Sequence, residues 1–588
     1  MNDIRRTILW VILGFSMVLL WDKWQLHNGN KATFFPTTPA VTAPAAAAAG
    51  ATSGATGAAS VPATSVPAAT AAAQGAAAVP GQPAAAAAPA KRERIEVKTD
   101  LYRLVFDSEG GSLTQAELLK HADMTDKARN FLLLDESAQR VYVAQTGLVG
   151  GAFPTHKTAM TAVPGPRELK DGEDSISIRF ESPDQGGVKL VKTWTIKRGA
   201  YDIAVKHDIV NTGSAAVSPQ LYLQLVRDGN KPPGESSFYS TFTGPAVYTE
   251  AKKYQKIEFK DIKNKKFDIP SESTNGYIAM VQHYFATAWL LPDGVKRELR
   301  LDSADIGANT PDCCYRVQMI TPLGELAPGQ SKTIDARLFA GPQVETMMEK
   351  LYPGLELVKD YGWLTILSKP LYWLLDNLHK LLGNWGWSIV ALVLLLKIAF
   401  YWLNAKAYAS MAKMKAINPK IMEMRERLKD KPQQMQQEMM RIYREEKVNP
   451  MGGCFPIMIQ IPVFIALYWV LLSSVEMRGA PWILWITDLS SPDPYFILPL
   501  VMTATSLLQT WLNPTPPDPL QAKLMWLMPL IFSVMFFFFP AGLVLYWVTN
   551  NILSIAQQWF INKRLGVLVT PSNPIKLFFD KKPEAEKK

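Results

Sequence analysis

Five apolar runs crowd the last third of the chain, at roughly 387–403, 455–472, 496–512, 524–539 and 543–561. Each approaches the ~20 residues that a helix needs to cross the hydrocarbon core of a bilayer. None contains an aspartate or a glutamate. Lipid offers no partner to backbone N–H and C=O groups, so such runs must be helices, and their polar side chains must gather inside the bundle. The pattern predicts an α-helical core of five spans within 384–566 and excludes a soluble single-domain enzyme.

Charge orients those spans. The 588 residues carry a formal charge of +10. An RNA-binding domain would interleave basic residues with exposed aromatics; here the bases flank the apolar runs, and no specific nucleic-acid site is expected. The segment 406–447 and the tail with Lys581, Lys582, Lys587 and Lys588 are basic, whereas 473–494 holds one base, Arg478. Basic loops stay in the cytoplasm. At the N-terminus, Arg5 and Arg6 precede an apolar stretch over 8–21, followed by Asp22, Lys23 and Trp24. A cleaved signal peptide is one reading, but no small-x-small site follows and Trp21 and Trp24 suit an interface. The expected element is an uncleaved anchor over 1–27, which makes the protein multi-pass with both termini cytoplasmic.

Residues 28–92 read as a disordered tether. Between 32 and 90 there is no charged residue, and Ala, Pro, Thr and Gly dominate, a composition too poor in large apolar groups to form a core. From there the hydrophobic period becomes two. Tyr102, Leu104 and Phe106 alternate, as do Ile176, Ile178 and Phe180, Leu190, Trp194 and Ile196, and Tyr201, Ile203, Val205 and Ile209, with turn residues between. Alternation bounded by turns predicts antiparallel strands, and 93–344 is long enough for a β-sandwich on the far side of the membrane. His156, His207 and His283 lack metal-ligand spacing, and Cys313, Cys314 and Cys454 build neither a disulfide framework nor a metal site. No cofactor, metal or catalytic residue is expected.

Two further helical elements flank the first span. Leu371, Leu374, Leu375, Leu378, Leu381 and Leu382 share a face opposite Asp376, Asn377, His379 and Lys380, which predicts an interfacial amphipathic helix within 355–383. Over 406–448, Met414, Ile417, Ile421, Met424 and Leu428 recur at helical spacing, Lys431-Pro432 breaks the run, and Met435, Met439 and Ile442 resume it. This predicts a cytoplasmic helical hairpin. Its methionines are explained by a seam between the two helices; with Met411, Met422 and Met440 they also suit capture of varied apolar segments.

Lys397 is the one charge inside the first of the five runs, roughly 13 Å from its cytoplasmic end at 1.5 Å per residue. A central cation costs about 2.5–3.5 kcal/mol on insertion scales and persists where water or a partner receives it. Snorkelling of the stem is the alternative. Gln460, Gln509, Thr549, Asn550, Asn551, Gln557 and Gln558 lie in other runs. Singly each can bridge helices; together with Lys397 they can wet a groove. A proton-coupled transporter would need a buried carboxylate or histidine, and no nucleophile stands near a base.

The run Asn449-Pro450-Met451-Gly452-Gly453-Cys454-Phe455-Pro456, continuing through Gln460, Pro462 and Phe464, resembles the third-span signature of the YidC-type family of membrane insertases. Phe539-Pro540-Ala541-Gly542-Leu543 and Tyr546-Trp547, followed by Asn550, Asn551, Gln557 and Gln558, resemble the last two spans of that family. The resemblance runs from about 355 to 566, and the order of anchor, tether, sandwich and core is that of its long Gram-negative form. It implies insertion, folding and assembly of membrane proteins in the bacterial inner membrane, alone or with the Sec translocon. The implied route is a hydrophilic groove open to cytoplasm and lipid, with a periplasmic sandwich. Implied partners are nascent membrane-protein clients and lipid, with the ribosome and the signal-recognition-particle receptor as further candidates. Lys397 matches the groove cation, an arginine in most members; lysine retains attraction but loses the planar fork. Gln460, Gln509, Tyr546, Trp547 and Asn550 are the remaining groove candidates. Phe464, Met528 and Phe532 would form an apolar slide, and Met414, Ile421, Met424, Met435 and Met439 the hairpin face. The rival reading, function in a carbohydrate-binding sandwich, predicts that deleting 98–341 abolishes activity; the insertase reading predicts that most insertion survives.

Overall fold

The computed structural model describes residues 92–234, 241–303, 313–429, 431–446, 455–513 and 519–564. The expected anchor, the tether up to residue 91, residues 449–454 of the signature and the basic tail over 567–588 lie outside the described residues.

Alternation becomes strand wherever it was read. In chain order the strands are β1 Arg94–Lys98, β2 Tyr102–Asp107, β3 Ser112–Ala122, β4 Asn130–Glu136, β5 Val141–Val149, β6 Thr161–Ala162, β7 Ser175–Glu181, β8 Val188–Lys197 and β9 Asp202–Asn211. They continue with β10 Gln220–Arg227, β11 Gly244–Thr249, β12 Lys253–Lys256, β13 Glu272–Ser273, β14 Tyr277–Val281, β15 Phe285–Leu290, β16 Arg297–Ser303, β17 Tyr315–Pro322 and β18 Ser331–Pro342. A short helix, α1 Phe259–Lys263, follows β12. One nine-stranded sheet runs β1-β2-β3-β4-β5-β10-β17-β16-β13 and the other β12-β11-β14-β15-β18-β9-β8-β7-β6. The sheets meet face to face as a sandwich. Trp194 of the second sheet lies 5.3 Å from Phe106 of the first, and 6.0 Å from Trp289. Both tryptophans are fully buried, and each such side chain contributes roughly 1.5–3 kcal/mol.

Lys192, a buried cation inside the sandwich, is held by carbonyl groups. Lys192 Nζ donates to Gly110 O (2.5 Å) and Thr146 O (2.6 Å), and burial draws its ammonium down to about 7. His207 is buried beside Thr146, 3.0 Å from its hydroxyl. Among the described residues no cluster of His, Cys, Asp and Glu can hold a metal ion. Cys313 and Cys314 are sequence neighbours, and among the described residues no disulfide spans a loop.

After β18 come α2 Glu345–Leu351 and two 3-10 turns, Leu355–Val358 and Gly362–Leu364. The amphipathic helix, α3 Thr365–Leu382, lies within 355–383 and follows Gly362, whose positive φ (67°) interrupts helical geometry before it. Only the first part of its apolar stripe faces protein. Leu371 and Leu375 are buried in the helical core, whereas Ile366, Trp373 and Leu381 are exposed.

Gly383 ends α3 in a left-handed conformation (φ 66°), its N–H donating to His379 O (2.8 Å). Asn384 then caps α4 Trp385–Ala399, accepting from Trp387 N at 3.0 Å, the usual glycine-stop and Asn-start chemistry. Gly386 lies so close to Trp482 that an added Cβ would fall 2.2 Å from its ring. The first apolar run does not continue to 403 as one helix: α4 bends by 69° into α5 Tyr401–Arg427. The break coincides with Phe400, Tyr401 and Trp402, all exposed, aromatic side chains suited to a membrane boundary.

The hairpin partner is α6 Pro432–Glu445, with proline in its first turn. Ile417, Ile421 and Met424 are buried against Met414, Leu428, Met435, Met439 and Ile442. The remaining helices are α7 Phe455–Ser473, α8 Ile497–Leu512, α9 Pro519–Phe536 and α10 Ala541–Arg564. No single described helix is long and apolar enough to cross a membrane by length and hydropathy together. The α4–α5 pair passes only as a bent unit, and Gln460–Ser473, Ile497–Leu512 and Ala522–Phe536 are shorter apolar helices.

The loop after α7 joins the helices to the sandwich. Arg478 Nη2 donates to Ala122 O (2.6 Å), and its guanidinium lies 5.0–5.4 Å from the rings of Phe131, Tyr284 and Phe285. Lys127 pairs with Asp488 at 3.0 Å. His283 Nε2 donates to Leu472 O at 2.9 Å.

Candidate functional site

Helical arithmetic on α10 organises the polar residues of the bundle. Tyr546, Asn550 and Ser554 are four apart and share one face. Trp547, Asn551 and Gln558, spaced by four and seven, share another. The two faces open on different cavities.

Lys397, in the last turn of α4, meets the first face. Its Nζ donates to Ser554 Oγ at 2.7 Å. Ser554 in turn donates to Asn550 O (2.6 Å). Beside it Gln460 Nε2 donates to Asn550 Oδ1 (2.9 Å), and Asn404 Nδ2 to Gln557 Oε1 (3.4 Å). Lys397, Asn404, Gln460 and Asn550 line a cleft of about 440 Å³ whose walls include Val393, Leu396, Phe400 and Val463. No carboxylate is among its lining residues. Among the described residues a cation here has one hydroxyl and no counter-ion, so it attracts negative charge at short range, where apolar walls weaken screening.

The second face opens on a larger chamber of about 1030 Å³ between α7, α8, α9 and α10. Phe464, Gln509, Met528, Phe532 and Trp547 line it together with Met502, Met525 and Met535. Its polar wall is tied down: Asn551 Nδ2 donates to Ser506 Oγ (2.8 Å), and Gln558 Nε2 to Asn513 Oδ1 (3.1 Å). Thioethers on an apolar wall adapt to side chains of varied shape. Phe464 stands between the cavities, its ring 5.8 Å from Tyr546 and 4.6 Å, edge-to-face, from Trp547.

Of the expected groove residues, Lys397, Gln460, Tyr546 and Asn550 converge on the cleft, whereas Gln509 and Trp547 face the chamber with the slide residues Phe464, Met528 and Phe532. The hairpin residues Met414, Ile421, Met424, Met435 and Met439 form the seam of α5 and α6 and not an open face; Met422 and Met440 are the exposed methionines there. Ser554 and Asn404 were not foreseen. Ser554 is one turn beyond Asn550 and was legible by spacing; nothing in the sequence pairs Asn404 with Gln557.

Residues 94–374 match the family model described as the YidC periplasmic domain, and 377–567 that of the 60Kd inner membrane protein. The protein named membrane protein insertase YidC in Cupriavidus taiwanensis is 56% identical over 96% of this chain and 98% of its own length. The chain belongs to the YidC family of membrane protein insertases. The protein of the same name in Ralstonia nicotianae is 55% identical, again over 96% of this chain and 98% of its own. A solved active YidC insertase with its first transmembrane domain resolved aligns over 79% of this chain and 91% of that one, at 20% identity and a TM-score of 0.37. The sandwich is thus a YidC periplasmic domain and the helices a YidC inner-membrane core. YidC is a family of insertases and chaperones, not of enzymes.

Proposed function

We propose that this YidC chain inserts and helps fold nascent membrane proteins in the bacterial inner membrane by splitting the task between its two cavities. The Lys397 cleft, open to the cytoplasm and to lipid, draws in an acidic or polar client tail and replaces part of its hydration with Ser554, Asn550 and Gln460. The chamber with Phe464, Met528 and Phe532 receives the client's apolar helix and releases it to lipid. No nucleotide is required by this step, because transferring about 20 apolar residues from water is favourable.

In this reading five helical segments cross the bilayer: α4 up to its bend, α7, α8, α9 and α10. The hairpin of α5 and α6 lies in the cytoplasm with both termini, and the expected anchor adds a sixth crossing. The Sec translocon, the ribosome and the signal-recognition-particle receptor are proposed partners through the family.

The observation that carries the proposal is Lys397, a cation held by a hydroxyl in a cleft without a carboxylate. Insertion in living cells of a client with an acidic tail, independent of Sec, tests it. Lys397→Ala and Lys397→Glu should fall well below wild type and Lys397→Arg should stay near it. Wild-type insertion by all three sinks the role of the charge. Deleting 98–341 should leave most insertion intact; abolished insertion would move the function into the sandwich.

A further inference from the structure

The loop that joins α7 to α8 is stapled across the ends of other helices. Asn384, the cap of α4, donates through Nδ2 to Pro481 O (3.1 Å). At the start of α10, Ala541 N donates to Ser491 O (2.8 Å) and Gly542 N to Leu489 O (2.9 Å). Phe496 immediately precedes α8, and its ring lies 5.5 Å from that of Phe537, just past the end of α9. Contact with one loop places these helix ends on one side of the bundle, the periplasmic side in the topology proposed above. The loop therefore sits at the level where the crossing segments leave the hydrocarbon.

Two of its residues have a backbone that their side chains do not favour. Ile486 N donates to Ile483 O (3.1 Å), closing a turn whose second residue, Leu484, has φ 53°. Positive φ at that position suits glycine, asparagine or aspartate. Phe496 has φ 56° and stands at the N-cap of α8 without a side-chain cap bond, where Ser, Thr, Asp or Asn is the usual residue. Asp493 accepts from Leu498 N instead (2.7 Å). Neither strained side chain is buried: Leu484 is 81% exposed, Phe496 is exposed, and so are Ile483 and Tyr495 beside them. Strain of this kind persists where it serves a use, and packing within the protein is not that use.

Charge is withdrawn from the same surface. From 479 to 497 the only charged residues are Asp488 and Asp493. Asp488 is taken up by Ser490 and Ser491 (2.7 Å each) and by Lys127 (3.0 Å). Asp493 is 1% exposed and accepts from Trp485 Nε1 at 3.0 Å. Trp485 meets Tyr495 edge-on, 6.5 Å between ring centroids, which joins the tip and the base of the loop in one apolar patch. The patch runs on, with no charged residue between, into Ile497 and Leu500, exposed on α8. An uncharged patch with Trp and Tyr that continues onto a crossing helix matches a bilayer boundary, whereas a protein partner would meet a polar rim.

We infer that this loop is seated in the periplasmic leaflet, with Ile483 and Leu484 wedged among phospholipid acyl chains and Tyr495 and Phe496 at headgroup level. The partner is the phospholipid surface itself. Through Leu489 and Ser491 the seat also holds the start of α10, a wall of the chamber, at a fixed depth. The inference rests on the crossing of α8, which the test reads separately.

The full chain, in nanodiscs of phosphatidylethanolamine and phosphatidylglycerol, carries a nitroxide on p-acetylphenylalanine at position 484, 495, 500 or 171, one at a time. Power-saturation EPR compares collisions with oxygen, enriched in hydrocarbon, and with a nickel chelate, confined to water. Position 500 should be oxygen-dominated, and position 171, on an exposed turn of the sandwich, nickel-dominated. Position 484 should resemble 500, and 495 should lie between. Leu484→Asn suits the turn and removes the apolar side chain, so position 495 should shift towards the value at 171 without a fall in melting temperature. A nickel-dominated 484 beside an oxygen-dominated 500 overturns the seat alone. A nickel-dominated 500 overturns the crossing of α8 and the seat with it, and an unchanged 495 in Leu484→Asn overturns the wedge.

Discussion

Lys397 Nζ and Ser554 Oγ stand 2.7 Å apart, 157 residues distant in sequence. A hydrogen bond to a charged group is worth roughly 1.5–3 kcal/mol, so the serine fixes where the ammonium sits without neutralising it. Ser554→Ala should lower insertion of an acidic-tailed client less than Lys397→Ala does, because the charge remains while its aim is lost. A pulse-labelled protease-protection assay ranks the two. Ser554→Ala falling below Lys397→Ala would show that the hydroxyl, and not the charge, is the essential group.

Phe464 separates cleft from chamber through its contacts with Tyr546 and Trp547. Aromatic pairs contribute about 0.5–1.5 kcal/mol beyond area burial. Phe464→Ala should join the two cavities and lower the melting temperature, while Phe464→Leu should recover part of the stability but not the edge-to-face contact. Thermal unfolding in nanodiscs measures both, and equal melting temperatures for Phe464→Ala and wild type would remove the partition.

Arg478 docks the sandwich on the helical core through Ala122 O and three aromatic rings. Arg478→Ala should raise amide hydrogen exchange over 120–131 and at 283–285 without unfolding either part. Lys127→Ala should do less, because that lysine is 61% exposed and exposed ion pairs contribute at most about 1 kcal/mol. Unchanged exchange in Arg478→Ala would mean that the interface rests on other contacts.

Burial holds four histidines of the sandwich below their ordinary value: His121, His156 and His283 at about 4 and His207 at about 3. A depressed folded value means that the unfolded chain binds more protons between roughly pH 4 and 6.5, so stability is complete above that window and falls as pH drops through it. Each contributes on the order of 1–2 kcal/mol by pH 5. The melting temperature of the sandwich transition should therefore be lower at pH 5 than at pH 7.5. Lys192, lowered to about 7, acts in the alkaline range between its folded value and 10.5. A melting temperature equal at both pH values would contradict the burial of these rings.

Within the hairpin, Ile421 is 1% exposed and Met440 52%. Ile421→Asp places a charge in the seam and should open the hairpin to proteolysis at 429–431; Met440→Gln should not. Equal cleavage of both variants would refute the seam.

Much of this architecture was written along the chain. Period two over 176–180 and 203–209 became β7 and β9, and Met414 to Met439 spacing foretold the seam. The family signature and the acid-free apolar runs located the helical core and singled out Lys397. These features are local, because a strand or helix imposes its period on its own residues whatever they later touch. Tertiary structure alone decided that α10 divides its polar side chains between two cavities, that Gln509 and Trp547 part company with Lys397, and that Arg478 belongs to the sandwich interface. Periodicity says which residues share a face; the crossing of helices and the register of distant strands say what that face meets, and that depends on packing among residues a hundred or more positions apart.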